Sequence, residues 1–299
     1  DFEYNERKTK TACDRYIRYL TPKNLNHILY TDFLKEHGFK FETQKGKIKY
    51  EDAFPLMLID NYLVGLNSFN HVEHLVVDEM QDYSPMQFRV LNILYPCSKT
   101  ILGDYGQSIC PEDSKKAIEQ LHELFDNSMY LTINRCYRTS EEIGKLCNII
   151  GNRTDVDMVR KGGNTPIILK TENETDFIDK LKYLLKQVED KKYKNIAIIT
   201  KDQQECDHYI NLISPHLNIE TINAKSVTLP NGLIIVPSFQ SKGLEFDCVI
   251  VPNVSQQNYN SPFEYQNLYI SASRSLHHLF MLYQGDPCQP VKQYLTQNK

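Results

Sequence analysis

The 299-residue sequence has no excess of positive charge: 34 Lys and Arg stand against 38 Asp and Glu, a net charge of −4. That excludes a protein that coats nucleic acid with a basic surface. Residues 61–150 hold 7 basic and 12 acidic side chains and residues 151–299 hold 16 of each, so neither half supplies a basic block. Any grip on nucleic acid has to come from a local groove or from polypeptide outside these residues. The eight cysteines, scattered from Cys13 to Cys288, include no CxxC pair, and the histidines include no pair at metal-ligand spacing. Zinc-binding modules are thereby excluded, and scattered thiols suit a reducing cytoplasm in which most are buried small apolar residues. His277 and His278 read as a strand-edge pair rather than a metal site. No apolar run approaches membrane-spanning length, and the opening DFEYNERKTK is charged rather than signal-like. Repeats and low-complexity tracts are also absent.

What is present suffices for two cores, since 41% of the residues are hydrophobic and a chain of this length favours two domains. Residues 1–70 read as a helical segment. Leu25, Ile28, Leu29 and Phe33 recur at helical spacing, as do Ala53, Leu56, Met57, Tyr62 and Leu63, around a polar loop or hairpin near Gly38 to Lys49. From residue 71 strands and helices alternate, the signature of a parallel α/β sheet. Strands are predicted at Leu75 to Val77, Thr100 to Leu102 and Met129 to Ile133. Helices are predicted after Ser84-Pro85, over Ser114 to Phe125, and after Thr139 or Ser140, with Glu141 and Glu142 in the last one's first turn. The Gly-rich stretch Gly151 to Asn164 is the expected boundary between residues 71–150 and 151–299. Beyond it strands are predicted at Ile167 to Leu169, Ile196 to Thr200, Leu233 to Pro237, Cys248 to Val251 and Leu279 to Tyr283. Helices follow at Thr175 to Gln187, Gln203 to Ile213 and Phe263 to Ser273. Two sheets of similar size are expected.

The stretch HLVVDEMQD carries the most chemistry. Leu75, Val76 and Val77 fit a strand covered on both faces, and Asp78 and Glu79 follow at its carboxyl end, where open parallel sheets bind ligands. Two adjacent acids there suit either a magnesium nucleotide, one carboxylate holding the hydrated metal and its neighbour positioning an attacking water, or a strand that simply ends in a charged turn. The turn Gly103 to Ser108 follows the next strand, so Gln107 is expected on the same sheet edge, within reach of a terminal phosphate. Alone, such a turn is ordinary surface chemistry. Arg138, before a helix start, is placed either to meet an anion or to pair with Glu141 or Glu142. Arg274 is either an arginine completing a nucleotide site from a second domain or a cation at a helix C-terminus. In SKGLEFD, Gly243 lets backbone approach a ligand, and Glu245 can accept from a ribose hydroxyl.

In order, DEMQD, GDYGQSI, NRCYRTS, SFQSKGLEFD and LYISASR resemble motifs II to VI of the UvrD/Rep-like superfamily 1 helicases. YEDAFPLMLIDNYLVG, DYSPMQF and the ending GDPCQP resemble the helicase IV and HelD branch. The resemblance implies an α/β fold of two RecA-like domains, the first incomplete, with ATP and Mg2+ between them. By it, Asp78 binds magnesium through water, Glu79 activates water, Gln107 senses phosphate, and Arg138 and Arg274 stabilise the transferring phosphoryl group. Glu245 and Gly243 serve the nucleotide, while Gln81 and Asp82 couple the metal strand to the neighbouring domain. The family's GxxxxGK[ST] phosphate loop is absent. With an opening residue Asp1, the expectation is a C-terminal portion of a longer protein, little active alone, whose partners are its own P-loop region and single-stranded or partly duplex DNA. Cys110 stands where many relatives carry a base-stacking aromatic, which suits instead a HelD-like ATPase acting on RNA polymerase. A non-catalytic interaction module of the same shape is the alternative of another class.

Overall fold

The computed structural model describes residues 22–40, 48–104, 107–108, 121–125, 127–154, 156–222 and 230–298. The chain clusters into two compact units, Asp1–Asp104 with Glu112–Ser128, and Tyr105–Pro111 with Met129–Lys299. Cys13, Cys110 and the predicted helical residues 114–120 lie outside the described residues.

In the first unit, helices α1 (Pro22–Glu36) and α2 (Tyr50–Val64) precede strand β1 (His74–Val77), helix α3 (Pro85–Leu94) and strand β2 (Ser98–Ile101). The Tyr30 hydroxyl donates to Asp52 Oδ1 at 2.7 Å, joining α1 to α2 through a buried pair. Burial, followed by the hydrogen bond and charge of Asp52, pushes the Tyr30 phenol well above its ordinary pKa. Gln87 Nε2 donates to Tyr50 Oη at 2.9 Å, tying α2 to α3. That helix starts where the sequence predicts: Ser84 accepts from the Gln87 N–H, Gln87 Oε1 accepts from the Ser84 N–H, and Pro85 occupies the first turn. Ile28, Leu29 and Phe33, the expected core face of α1, are exposed.

Strands β1 and β2 pair in parallel, Val77 opposite Ile101, and form a two-stranded sheet. The expectation that β1 is covered on both faces is not met: Val77 is buried but Val76 is 61% exposed. A strand is covered on both faces only when helices flank a sheet wide enough to carry them, and this sheet has two strands among the described residues.

The second unit contains β3 (Arg135–Ser140), α4 (Glu141–Ile150), β4 (Asp157–Arg160), β5 (Ile167–Thr171), α5 (Glu174–Lys186), β6 (Asn195–Thr200) and α6 (Gln203–Ile213). Then come β7 (Glu220–Thr221), β8 (Gly232–Pro237), α7 (Ser238–Ser241), β9 (Phe246–Val251), α8 (Pro262–Ala272), β10 (Ser275–Gln284) and α9 (Gln289–Gln297). Six strands form one parallel sheet in the order β5-β10-β9-β6-β8-β7. Alternate residues supply two cores. Ala197, Ile199, Val249, Val251 and Met281 pack with α4, α8 and α9, while Ile198, Cys248, Ile250 and Phe280 pack with α5 and α6. Both faces being covered, β6 and β9 read as almost unbroken apolar runs. Asn173, Asp202 and Ser261 cap α5, α6 and α8 by accepting from backbone N–H groups.

Three predicted features differ here. Met129 to Ile133 is irregular and the strand begins at Arg135; Met129, Leu131 and Ile133 are exposed, Ile133 by 85%. Alternating apolar residues form a strand only against a ladder partner, and these have none among the described residues. The sheets are also unequal in size, since β1-β2 and β3-β4 each form a two-stranded sheet beside the six-stranded one. Because Ile143, Leu146, Cys147 and Ile150 of α4 pack into the large sheet's core, residues 129–150 cluster with the second unit rather than ending at the Gly151 to Asn164 stretch. Among the described residues Cys147, Cys206, Cys248 and Cys288 are buried thiols, and no helix is long and apolar enough to cross a membrane.

Candidate functional site

In the first unit, the carboxyl end of β1 presents Asp78 and Glu79. Glu79 adopts a left-handed backbone, φ 52° and ψ 45°, a conformation that costs a non-glycine residue roughly 1 kcal/mol or more. The surrounding bonds hold it there. Asp78 Oδ1 accepts the Glu79 N–H at 2.8 Å, and the Met80 N–H donates to Leu102 O at 2.9 Å, extending the pairing past β2. Gln81 spans the two strand ends: its Nε2 donates to Glu79 Oε2, and its Oε1 accepts from the Asp104 N–H at 3.1 Å. Gly103 makes this approach feasible, since a Cβ there would lie 2.1 Å from Met80 Cγ and 2.6 Å from Gln81 Oε1. Gln81, expected to face a neighbouring domain, spends both ends of its amide inside the first unit.

In the second unit, Arg274 follows the end of α8 and is 1% exposed. Its Nε donates to Ile270 O at 3.1 Å, the helix-terminal contact expected of a cation there, and its Nη2 donates to Gln107 Oε1. The turn after β2 is thus divided. Asp104 meets Gln81 in the first unit, whereas Gln107 clusters with the second unit and meets Arg274. Arg138 Nε lies 2.7 Å from Glu245 Oε1. The partners considered for it are used elsewhere, Glu141 by Lys145 at 3.0 Å and Glu142 by the Gly163 N–H at 2.8 Å. Gly243 has φ +76°, and among the described residues nothing lies within 4 Å of where a Cβ would stand. The sequence-predicted residues therefore form three local groups: Asp78, Glu79 and Gln81; Gln107 and Arg274; Arg138 and Glu245.

Sequence reasoning missed a polar network at the carboxyl ends of β6, β8 and β9. Lys201 Nζ donates to Glu264 Oε1 at 2.6 Å and to Asn258 O at 2.7 Å, and Lys201 O accepts from Ser238 Oγ and Asn267 Nδ2. Glu205 accepts from the Lys201 N–H at 2.6 Å and from Asn258 Nδ2 at 2.9 Å. Desolvation raises its carboxyl pKa to about 7 despite these bonds. The available sequence signal was a lysine directly after a buried strand. The histidine pair also differs from expectation: His277 and His278 lie on β10, between β5 and β9 rather than at an edge, and bond to Arg160 and Tyr193. Among the described residues no group of three or more His, Cys, Asp or Glu gathers to hold a metal.

No family model and no curated protein matches the chain. Similar solved structures include the C-terminal domain of a possible DNA helicase from Lactobacillus plantarum WCFS1, 29% identical over 52% of this chain and 91% of that one, with a TM-score of 0.44. Another is S. cerevisiae Dbp5 bound to RNA and ADP-BeF3, 11% identical over 81% of this chain and 60% of that one, with a TM-score of 0.47.

Proposed function

We propose that the chain is the C-terminal motor region of an ATP-dependent superfamily 1 DNA helicase or translocase of the UvrD, helicase IV and HelD type, built on RecA-like domains. One observation carries the reading. At the carboxyl end of a parallel strand, Gln81 fixes the Glu79 carboxylate to the glycine turn after β2, in a chain whose remaining motifs follow in family order.

The residues present fit magnesium and the reacting end of ATP. Asp78 has one oxygen engaged by the Glu79 N–H, and a single carboxylate suits an ion that keeps several waters and takes phosphate oxygens besides. Bound there, the ion supplies charge neutralisation at the phosphates. Glu79 orients the attacking water and accepts its proton, with Gln81 holding the carboxylate so that little reorganisation is needed. Arg274 and Gln107 form a joined pair, a cation with a neutral hydrogen-bonding partner, and because Arg274 is buried, contact with the terminal phosphate would require that pair to open. Arg138 offers a second guanidinium, and contact with phosphate would require it to share or exchange its bond to Glu245, the residue the resemblance assigns to the ribose.

The phosphate cradle does not fit: no GxxxxGK[ST] loop exists in the sequence, and the acids and arginines cannot replace its backbone N–H groups and lysine. Exposed Val76 and Leu102 in the first unit, and exposed Met129, Leu131 and Ile133 in the second, support further strands supplied from an upstream region.

Comparing ATP turnover of this chain with that of a longer polypeptide carrying the upstream region tests the reading. Background turnover by the chain and robust turnover by the longer protein are expected. In the latter, Glu79→Gln lowers kcat by at least about 100-fold while ATP binding persists. Vigorous hydrolysis by the chain alone, or turnover surviving Glu79→Gln, would overturn it. Strand displacement on partly duplex DNA supports a DNA motor, whereas retention on RNA polymerase without displacement supports the HelD-like alternative.

A further inference from the structure

Two strands of the second unit lose regular pairing beside a candidate phosphate-contacting arginine. In the β3-β4 ladder Cys136 faces Met158, and the register shifts before Ser140 faces Arg160, leaving Tyr137, Arg138 and Thr139 in the gap. In the β10-β9 ladder Ser275 faces Phe246, and the register shifts before His278 faces Cys248, leaving Leu276 and His277 in a second gap. Irregularities of this kind re-aim side chains and interrupt the ladder, so carbonyls inside them need other donors.

Arg160, the last residue of β4, reaches both gaps. Its Nη1 donates to Leu276 O at 2.9 Å and to Arg138 O at 3.3 Å, and its Nη2 lies 2.6 Å from His277 Nδ1. A guanidinium has no acceptor, so His277 Nδ1 accepts and the ring proton sits on Nε2, which lies 3.8 Å from Asp247 Oδ1. The imidazole is held in that pose. Tyr193 stacks on it at 5.5 Å and 10°, and Asn164 Nδ2 donates to His277 O at 3.1 Å. Asp247 is itself fixed, its Oδ2 accepting the Lys194 N–H at 2.8 Å. Arg274 precedes Leu276 by two residues, and its carbonyl accepts the Phe246 N–H at 3.0 Å, next to Glu245.

We infer that Arg160 is a positioning residue that staples the β3 and β10 irregularities together and thereby sets the spacing between Arg138 and Arg274. The inference rests on those two arginines being the phosphate contacts of the proposed motor. Lysine cannot substitute, because a single ammonium does not reproduce a planar fork that reaches a carbonyl and a ring nitrogen at once. Displacing a reacting-site guanidinium by about 1 Å is enough to cost roughly 100-fold in rate.

In the full-length protein, Arg160→Ala and Arg160→Lys are expected to lower kcat for ATP by about 10-fold to 100-fold with KM changed by less than about threefold. In an Arg138→Ala background that retains measurable turnover, adding Arg160→Ala lowers kcat by a smaller factor than in the wild type, since one of the two groups it positions is gone. Nitrogen-15 NMR is expected to show His277 protonated at Nε2 with Nδ1 accepting, and to lose that signature in Arg160→Lys. Should Arg160→Ala fail to fold, Arg160→Lys decides. Either variant folding with kcat within about twofold of wild type overturns the inference, as does an Arg160→Ala penalty undiminished in the Arg138→Ala background. If Arg138→Ala and Arg274→Ala themselves leave turnover intact, the motor reading fails and the inference falls with it; if they abolish turnover while Arg160→Lys does not, only the staple is wrong.

Discussion

Glu79 occupies a left-handed conformation that its side chain does not favour, so something must hold it, and the bonds of Gln81 and Met80 do. Releasing the amide frees the carboxylate to sample other rotamers. On the proposed motor reading, Gln81→Ala is therefore expected to lower kcat about 10-fold to 100-fold with ATP affinity little changed, measured by steady-state kinetics and nucleotide titration in a polypeptide that carries the upstream region. A loss confined to affinity would place Gln81 on the nucleotide instead. The placement of Asp78 and Glu79 directly after a parallel strand was legible, because an apolar run ending in Asp-Glu reads locally as a strand end. The contacts of Gln81 with Asp104, Arg138 with Glu245 and Arg160 with His277 were not. Each joins residues 23 or more positions apart, and one-dimensional spacing contains no trace of them. The local alternative for Arg138, a pair with Glu141 or Glu142, was reasonable on proximity in sequence and lost to a partner brought in by tertiary folding.

Several elements of the second unit were legible almost to the residue, although β10 begins four residues before its predicted start. The predicted helix Gln203 to Ile213 matches α6, and the strands predicted at Ile196 to Thr200 and Leu233 to Pro237 match β6 and β8 to within one residue. Capping residues and unbroken apolar runs are local signals, so no partner need be known. The strand predicted at Met129 to Ile133 failed because alternation states only that a segment can pair. At this scale Glu205 provides a pH test, since it links α6 to Lys201 at the end of β6 and to the Asn258 loop. Desolvation raises its carboxyl from 4.5 to about 7, Asp202 adding to the rise and the bonds from Lys201 and Asn258 opposing it. Below the unfolded value both states hold the proton. Between that value and about 7 the folded chain keeps a proton that the unfolded chain releases, so this contribution to stability falls as pH rises through the window and is gone above it. Glu205→Gln should flatten that slope. Tm measured for both proteins from about pH 5 to about pH 8 checks it, and a wild-type to variant difference independent of pH would refute the assignment.

Across the molecule, apolar burial among the described residues is concentrated in the second unit. Both large core clusters belong to its six-stranded sheet, while the first unit's two-stranded sheet leaves Val76 exposed. A two-stranded sheet has marginal stability unless packing or further strands support it, and local opening is governed by how much apolar contact opening would lose. Hydrogen exchange of the chain should accordingly be slowest in β6, β9 and β10 and faster by orders of magnitude in β1 and β2. If an upstream region completes the sheet, the longer polypeptide should slow exchange at Leu75 to Val77 and at Thr100 to Leu102, because each new ladder bond and each covered face raises the cost of opening. The strands of the large sheet, already covered on both sides, should show little change and so serve as the internal reference. Equal protection of β1 and β9 in the chain alone would mean that the small sheet needs no further strands, and the exposed valine would then require another explanation.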